Sequence, residues 1–189
     1  MIVRAGERFR TDTPDYVTLH CFSSGAHYDA DRLAWGPVVA VDEHLVPPGG
    51  GFDWHPHRGV HIVSWVLNGA LRHKDSTGAV HSVEPGQLFV QSTGDGLRHR
   101  ETNASDATPL RMVQIMVLGV AAQSAGAADV PAQVGPVTVD VVQGAVHVAD
   151  GLVFGTRGSR AGDLSDEDTA LDGEALVLHM TEAASPAPS

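Results

Sequence analysis

Residues 51–61 read GFDWHPHRGVH and place three histidines, His55, His57 and His61, within seven positions. Residues two apart on an extended strand point to the same side. His55 and His57 therefore project together, and His61 joins them if the extended conformation persists. Two imidazoles at this spacing form half of a metal site, because a transition metal needs three or four protein ligands for useful affinity. The stretch thus predicts a site that another part of the chain must complete.

The complement lies in residues 94–103, GDGLRHRETN, where His99 and Glu101 have the same spacing. A second strand beside the first would supply three imidazoles and one carboxylate and leave positions open on an octahedral metal. The set has no thiolate, which argues against a closed structural zinc site. Fe(II) suits such ligands, as do Mn, Co, Ni, Cu and Zn. The other histidines are predicted to be ordinary surface or core residues: His20, His27, His44, His73, His81, His147 and His179.

Composition restricts the class of partner. The chain has 189 residues and a formal net charge of −11, with no basic stripe that could neutralise phosphates. We therefore expect no direct nucleic-acid binding and no attraction to acidic lipids, which leaves a small-molecule substrate or a protein partner. No apolar run is long enough for a membrane span and no leader is evident, so a cytoplasmic location is predicted. The single cysteine, Cys21, excludes an internal disulfide and fits that location.

The apolar pattern predicts an all-β protein. The 21 glycines and 11 prolines cut the chain into short apolar runs, which is the pattern of short strands joined by tight turns. Several such strands at close spacing favour a sandwich or a small barrel. The predicted strands are residues 36–46, 61–69, 70–75, 86–92 and 110–118, followed by one or two strand pairs within 136–155 and a last strand at 174–180.

Both histidine stretches resemble the cupin signature. Its first motif is a glycine, H-x-H, a Glu and a later glycine; here Gly51, His55, His57 and Gly69 match, while His61 stands where Glu is usual. Its second motif is P-x-G-x-x-H-x-x-x-N. The matching residues in this chain are Gly96, His99 and Asn103, with Gly94 at the proline position.

Longer stretches narrow the resemblance to the pirin family, including its bacterial quercetinase-like members. HPHRG, VLNGALRHKDSTG and STGDGLRHRETN carry it, and the similarity extends over residues 15–118. The resemblance implies a bicupin of two jelly-roll-like β-barrels, of which the amino-terminal one binds a single metal, usually iron. By position, it implies the ligands His55, His57, His99 and Glu101, the same four that the spacing indicates.

Two departures from the family pattern bear on function. Relatives commonly have Glu at the position of His61. His61 could therefore be a fifth ligand, a substrate base, or a residue that alters the activity or only fills a structural position. The carboxy-terminal half is also short, so we expect a truncated, metal-free second cupin that packs on the first barrel or helps to form a dimer. The predicted divisions are a metal-binding cupin at 1–118, a linker at 119–135, a cupin-like segment at 136–183 and a frayed tail at 184–189.

The resemblance implies an activity as well. The leading hypothesis is a mononuclear iron dioxygenase that acts on flavonol or enol substrates, as quercetin 2,3-dioxygenase does. In this hypothesis Glu101 is either an ionised ligand or detaches to accept the substrate proton. The alternative is a metal-containing regulatory protein, monomer or homodimer, that contacts transcription factors or metabolic enzymes without turnover. A scaffold with an empty site is disfavoured, because a scaffold needs none of the four ligands.

Overall fold

The computed structural model describes residues 7–143, 152–155 and 174–180. No helix in this part of the chain has the length and apolar character that a membrane crossing requires. The described residues form these strands: β1 (Phe9–Asp12), β2 (Val17–His20), β3 (Val38–Val46), β4 (Gly51–His57), β5 (Val60–Asn68), β6 (Leu71–Asp75), β7 (Val80–Val83), β8 (Leu88–Ser92), β9 (Leu97–Asn103), β10 (Leu110–Leu118), β11 (Ser124–Ala128), β12 (Ala132–Val134), β13 (Val137–Gln143), β14 (Leu152–Gly155) and β15 (Glu174–Met180).

Strands β1 to β11 belong to one compact unit, residues 7–129. It contains a seven-stranded antiparallel sheet in the order β1-β2-β3-β10-β5-β8-β11 and a four-stranded antiparallel sheet in the order β4-β9-β6-β7. Residues on β6 and β9 alternate between buried and exposed, as expected for strands with one face on a core. Side chains from both sheets make up a central apolar cluster: Val46, Val66, Leu71, Val83, Phe89, Leu110 and Met112.

The prediction of an all-β fold is confirmed, and the five strands predicted before residue 119 appear as β3, β5, β6, β8 and β10. The strands predicted within 136–155 and at 174–180 appear as β13, β14 and β15. The sequence did not reveal β11, which pairs with β8 inside the interval 119–135 that was predicted as a linker. Its sequence, SAGAA, offers small side chains in place of the β-branched and aromatic residues that mark strands. Backbone pairing with β8, rather than its own propensity, holds this segment extended.

The second compact unit contains the described strands β12 to β15. They form a four-stranded antiparallel sheet in the order β12-β13-β15-β14. Alternate residues of β12 and β13 are buried, which gives this sheet an apolar face of its own: Ala132, Val134, Val137 and Val139. The predicted tail, residues 184–189, lies outside the described residues. The truncation of a second barrel stays a prediction.

The backbone geometry at position 69 requires a glycine, and a substitution of Gly69 tests this requirement. It joins β5 to β6 with φ +76°, and an added Cβ would lie 2.6 Å from the carbonyl oxygen of Pro109 and 2.9 Å from Cα of Leu110. Both the backbone conformation and the close approach exclude a side chain. Gly69→Ala is therefore expected to lower the free energy of unfolding by about 2 kcal/mol in urea denaturation.

Gly78→Ala is the matched control for this prediction. Gly78 also has positive φ, +94°, but no atom lies within 4 Å of its added Cβ. The control variant carries backbone strain without the clash, so its loss of stability should be clearly smaller. Equal losses in the two variants would show that contact with Pro109 is not the cause.

Candidate metal centre

Strands β4 and β9 bring three of the predicted ligands together. His55 lies directly opposite His99 in the β4–β9 register, and their Nε2 atoms are 2.9 Å apart. The His57 ring centroid is 4.8 Å from that of His55 and 4.7 Å from that of His99. One ring nitrogen of each histidine lies within 4.8 Å of the other two. The two histidines at i, i+2 on β4 and His99 on β9 thus direct their rings to one point.

Hydrogen bonding and burial leave these imidazoles suited to a cation. His55 Nδ1 lies 2.7 Å from the carbonyl oxygen of Asp53, so it donates its proton there and keeps a lone pair on Nε2. His57 Nε2 is buried without a hydrogen-bond partner. Burial lowers the pKa of His99 to about 4 and lowers that of His57 as well. Neutral rings with converging lone pairs repel one another unless a proton or a metal ion lies between them, so the donor set fits a transition metal.

Glu101 supplies the single carboxylate. It lies on β9 and is 2% exposed, with Oε2 3.9 Å from His99 Nε2. The amide nitrogen of Gln114 is 2.9 Å from both carboxylate oxygens. Burial alone would raise the pKa of Glu101, but the nearby rings of His73 and His99 and the hydrogen bonds from Gln114 outweigh it and lower the pKa to about 2. The group is therefore an ionised carboxylate fixed in place from one side.

His73 is a member of the cluster that the sequence analysis missed. It pairs with Glu101 in the β6–β9 register, and its Nδ1 lies 3.6 Å from Glu101 Oε1. His73, His99 and Glu101 form a second group of close ligand atoms, so the four predicted ligands fall into two groups that share His99. His73 Nε2 lies 2.9 Å from the side-chain nitrogen of Gln91. The period-2 pattern of LRHKD, which places His73 on the buried face, is the signal that could have found it.

The structure does not bring His61 to this cluster. The chain turns at Gly59, with φ +65°, so β5 enters the other sheet. On β5 the hydroxyl of Ser64 binds Gln114 next to Glu101, and His61, three residues earlier, points to the opposite face. His61 Nδ1 lies 2.7 Å from Ser92 Oγ, and burial lowers the pKa of its ring. This placement accords with a structural residue rather than a fifth ligand or a base.

A cavity of about 300 Å³ opens beside the cluster. His55, His57 and Glu101 form part of its lining, and Tyr16 and Phe52 add two aromatic rings whose centroids are 4.2 Å apart. His20 and His44, which the sequence places among the ordinary histidines, also line the cavity. Polar groups of β1, β2 and β3 complete this part of the lining: Thr11, Thr18, His20, Asp42 and His44.

The polar lining residues of β2 and β3 are joined in pairs by hydrogen bonds. His20 Nδ1 is 3.0 Å from Asp42 Oδ1, and His44 Nδ1 is 2.8 Å from Thr18 Oγ1. Burial lowers the pKa of His44. The VTLH and VDEH segments carry these groups at alternate positions of paired strands, so their placement follows from the same period of two as the metal cluster.

A two-sheet β structure with H-x-H on one strand and H-x-E on its neighbour, opening to a cavity, defines a cupin. The predicted cupin fold is confirmed by solved structures of similar shape. The chain belongs to the pirin family, whose sequence model matches residues 3–117.

Relatives carry names that refer to one activity. A Mycobacterium tuberculosis protein whose name provisionally assigns it to the quercetin 2,3-dioxygenases is 42% identical over 117 residues, covering 62% of this chain and 48% of that protein. The quercetin 2,3-dioxygenase of Escherichia coli K12 is 30% identical over 115 residues, covering 61% of this chain and 50% of the relative. The matched region thus spans about half the length of these relatives.

Solved structures agree on the fold. The Escherichia coli pirin YhhW, determined in complex with nickel(II), superposes with a TM-score of 0.78 at 19% identity, covering 97% of this chain and all of that one. A quercetin 2,3-dioxygenase from Acinetobacter baumannii gives a TM-score of 0.66 at 17% identity, covering 96% and 82% of the two chains. At these identities the similarity establishes the shared architecture.

Proposed function

We propose that this protein is a mononuclear iron dioxygenase acting on flavonol or enol substrates, with His55, His57, His99 and Glu101 as the metal ligands. The observation that carries the proposal is the convergence of two half-buried imidazoles, one buried imidazole and an ionised carboxylate beside a cavity. The names of the relatives point to the same chemistry.

The proposed ligands restrict the identity of the metal but do not determine it. Three nitrogens and one oxygen, with no thiolate, suit Fe(II), and Mn, Ni, Co, Cu and Zn accept the same ligands. His73 and Gln114 contact the carboxylate of Glu101 and are not among the four proposed ligands. They hold this carboxylate in its orientation. Oxygen chemistry needs a redox-active ion, which disfavours Zn; among the others we propose Fe(II), the metal that the resemblance to pirins implies.

The cavity has the features that a flat, weakly acidic substrate requires. When bound, a ferrous ion supplies the redox chemistry that lets O2 react with an electron-rich enol. The rings of Tyr16 and Phe52 offer apolar faces against which an aromatic substrate can pack. Packing of the substrate on these rings also removes water from the cluster, which strengthens the electrostatic interactions there.

Oxygen uptake tests the proposal. Iron-loaded protein is expected to consume O2 when quercetin is added, with one O2 taken up per flavonol oxidised. The metal-free protein and the His55→Ala/His99→Ala variant are expected to show only the background rate. The measurement uses an oxygen electrode together with the loss of flavonol absorbance.

The opposite outcome is equally informative. Iron-loaded protein that consumes no O2 with quercetin or with related enols would overturn the dioxygenase proposal. Retention of a transcription factor or metabolic enzyme in a pull-down by the same metal-loaded protein would then favour the regulatory alternative.

A further inference from the structure

Two cavity residues outside the metal cluster form a histidine–carboxylate pair. His20 on β2 lies opposite Asp42 on β3 in the strand register, with His20 Nδ1 3.0 Å from Asp42 Oδ1. Each residue is only 8% exposed. Both contribute to the lining of the cavity that also contains His55 and His57. The pair therefore faces the space in which a substrate would bind.

The pair fixes which nitrogen of His20 can accept a proton. An ionised carboxylate only accepts hydrogen bonds, so Nδ1 of His20 carries the proton that faces Asp42. Nε2 then has the lone pair that can accept a hydrogen bond or a proton. The hydroxyl of Thr11, another cavity residue, lies 3.0 Å from this Nε2 and 3.2 Å from Nε2 of His27, so it can donate to either ring. When Thr11 donates to His27, Nε2 of His20 can accept a substrate hydroxyl.

We propose that His20, oriented by Asp42, is the base that accepts the hydroxyl proton of an enol or phenol substrate. This inference rests on the proposed function, because it concerns the substrate of that site. The substrate O–H bond breaks, and an N–H bond forms at Nε2 of His20. The electron pair stays on the substrate oxygen, which becomes anionic. The carboxylate of Asp42 stabilises the imidazolium that results, and the step requires no oxidant.

Other cavity groups are less well arranged for this step. Both oxygens of Glu101 accept hydrogen bonds from Gln114, and the carboxylate lies beside His99 in the metal cluster. His44 has the hydroxyl of Thr18, rather than a carboxylate, on its Nδ1. His20 therefore has a carboxylate partner that stabilises its imidazolium form.

The test measures substrate ionisation apart from turnover. Zinc(II)-loaded protein, which lacks redox chemistry, is titrated with quercetin under argon at neutral pH, and the longer-wavelength absorption of the ionised flavonol is recorded. Wild-type protein is expected to bind the flavonol as its anion. His20→Asn keeps a donor for Asp42 but removes the acceptor at Nε2, and it should reduce the ionised fraction at least about tenfold. With iron loaded, its rate of O2 uptake should fall about 10²-fold.

Matched variants separate this role from a structural one. His81→Asn makes the same change at a half-buried histidine outside the cavity lining and should behave as wild type. Asp42→Asn should reproduce the loss, because it no longer favours the tautomer with a free Nε2, whereas Asp12→Asn at an exposed position should not. Each variant is compared at equal metal content and after its melting temperature is measured.

The outcomes distinguish the inference from the proposed function. If His20→Asn binds quercetin and ionises it as wild type does, the inference is overturned while the dioxygenase proposal stands. If wild-type protein loaded with zinc binds no quercetin, and the iron form consumes no O2, both are overturned. If His20→Asn fails to fold, His20→Gln, which places an amide near the Nε2 position, takes its place with the same expected loss.

Discussion

The His55→Ala/His99→Ala variant is expected to bind a transition metal with an affinity at least about 10³-fold below that of wild type. The two residues contribute the pair of Nε2 atoms that lie 2.9 Å apart, so their removal leaves His57 and Glu101 without a shared centre. Loss of a single outer-shell partner already costs 10- to 100-fold in affinity at many metal sites. Isothermal titration with Fe(II) under argon, or competition with a chelator, measures the change.

A control excludes a general effect of removing histidines. His81→Ala changes a half-buried histidine on β7 of the same four-stranded sheet, whose ring packs 5.0 Å from that of Phe89. It should keep wild-type affinity for the metal. Unchanged affinity in the double variant, with the fold intact by circular dichroism, would show that the metal binds elsewhere.

The second large expected effect is a loss of folding stability at acidic pH. Metal-free protein is expected to lose about 3 kcal/mol of stability as the pH falls from 6.5 to 4. His99 has a folded-state pKa of about 4, mainly because of burial, against an ordinary value of 6.5. In this range the unfolded chain binds the proton and the folded protein does not, so unfolding is favoured as the pH falls. Burial lowers the pKa of His57 as well and acts in the same direction.

Glu101 adds a separate step at lower pH. Its folded-state pKa is about 2, against an ordinary value of 4.5, so its contribution is complete above pH 4.5 and is lost as the pH falls towards 2. Urea denaturation in EDTA at a series of pH values resolves the two ranges. His99→Gln should flatten the upper range and narrow the lower one, because His99 also helps to lower the pKa of Glu101. Constant stability between pH 6.5 and 4.5 in wild-type protein would contradict the prediction.

The sequence predicted the parts of the site that depend on spacing along one strand. His55 with His57, and His99 with Glu101, each obey the period of two, and the strands that carry them pair as required. His61 follows the same count along the chain, but the turn at Gly59 moves it to the other sheet and the count no longer applies.

Other members depend on register between strands that are distant in sequence. His73 becomes a partner of Glu101 only because β6 lies beside β9 with those residues opposite each other. His20 meets Asp42 in the same manner across β2 and β3. A single sequence shows that each strand has a buried face but does not specify which strands are neighbours. For this reason the sequence indicates the four proposed metal ligands but not their supporting partners or the cavity wall.

The metal content of the purified protein tests the central claim most directly. Elemental analysis is predicted to find one transition-metal ion per chain, iron when iron is supplied during expression, and none in the His55→Ala/His99→Ala variant. Addition of Fe(II) to metal-free wild-type protein should raise its melting temperature, because a ligand that binds only the folded state stabilises it. Wild-type protein that contains no metal, and whose melting temperature does not change with Fe, Mn, Ni, Co or Cu, would contradict the account.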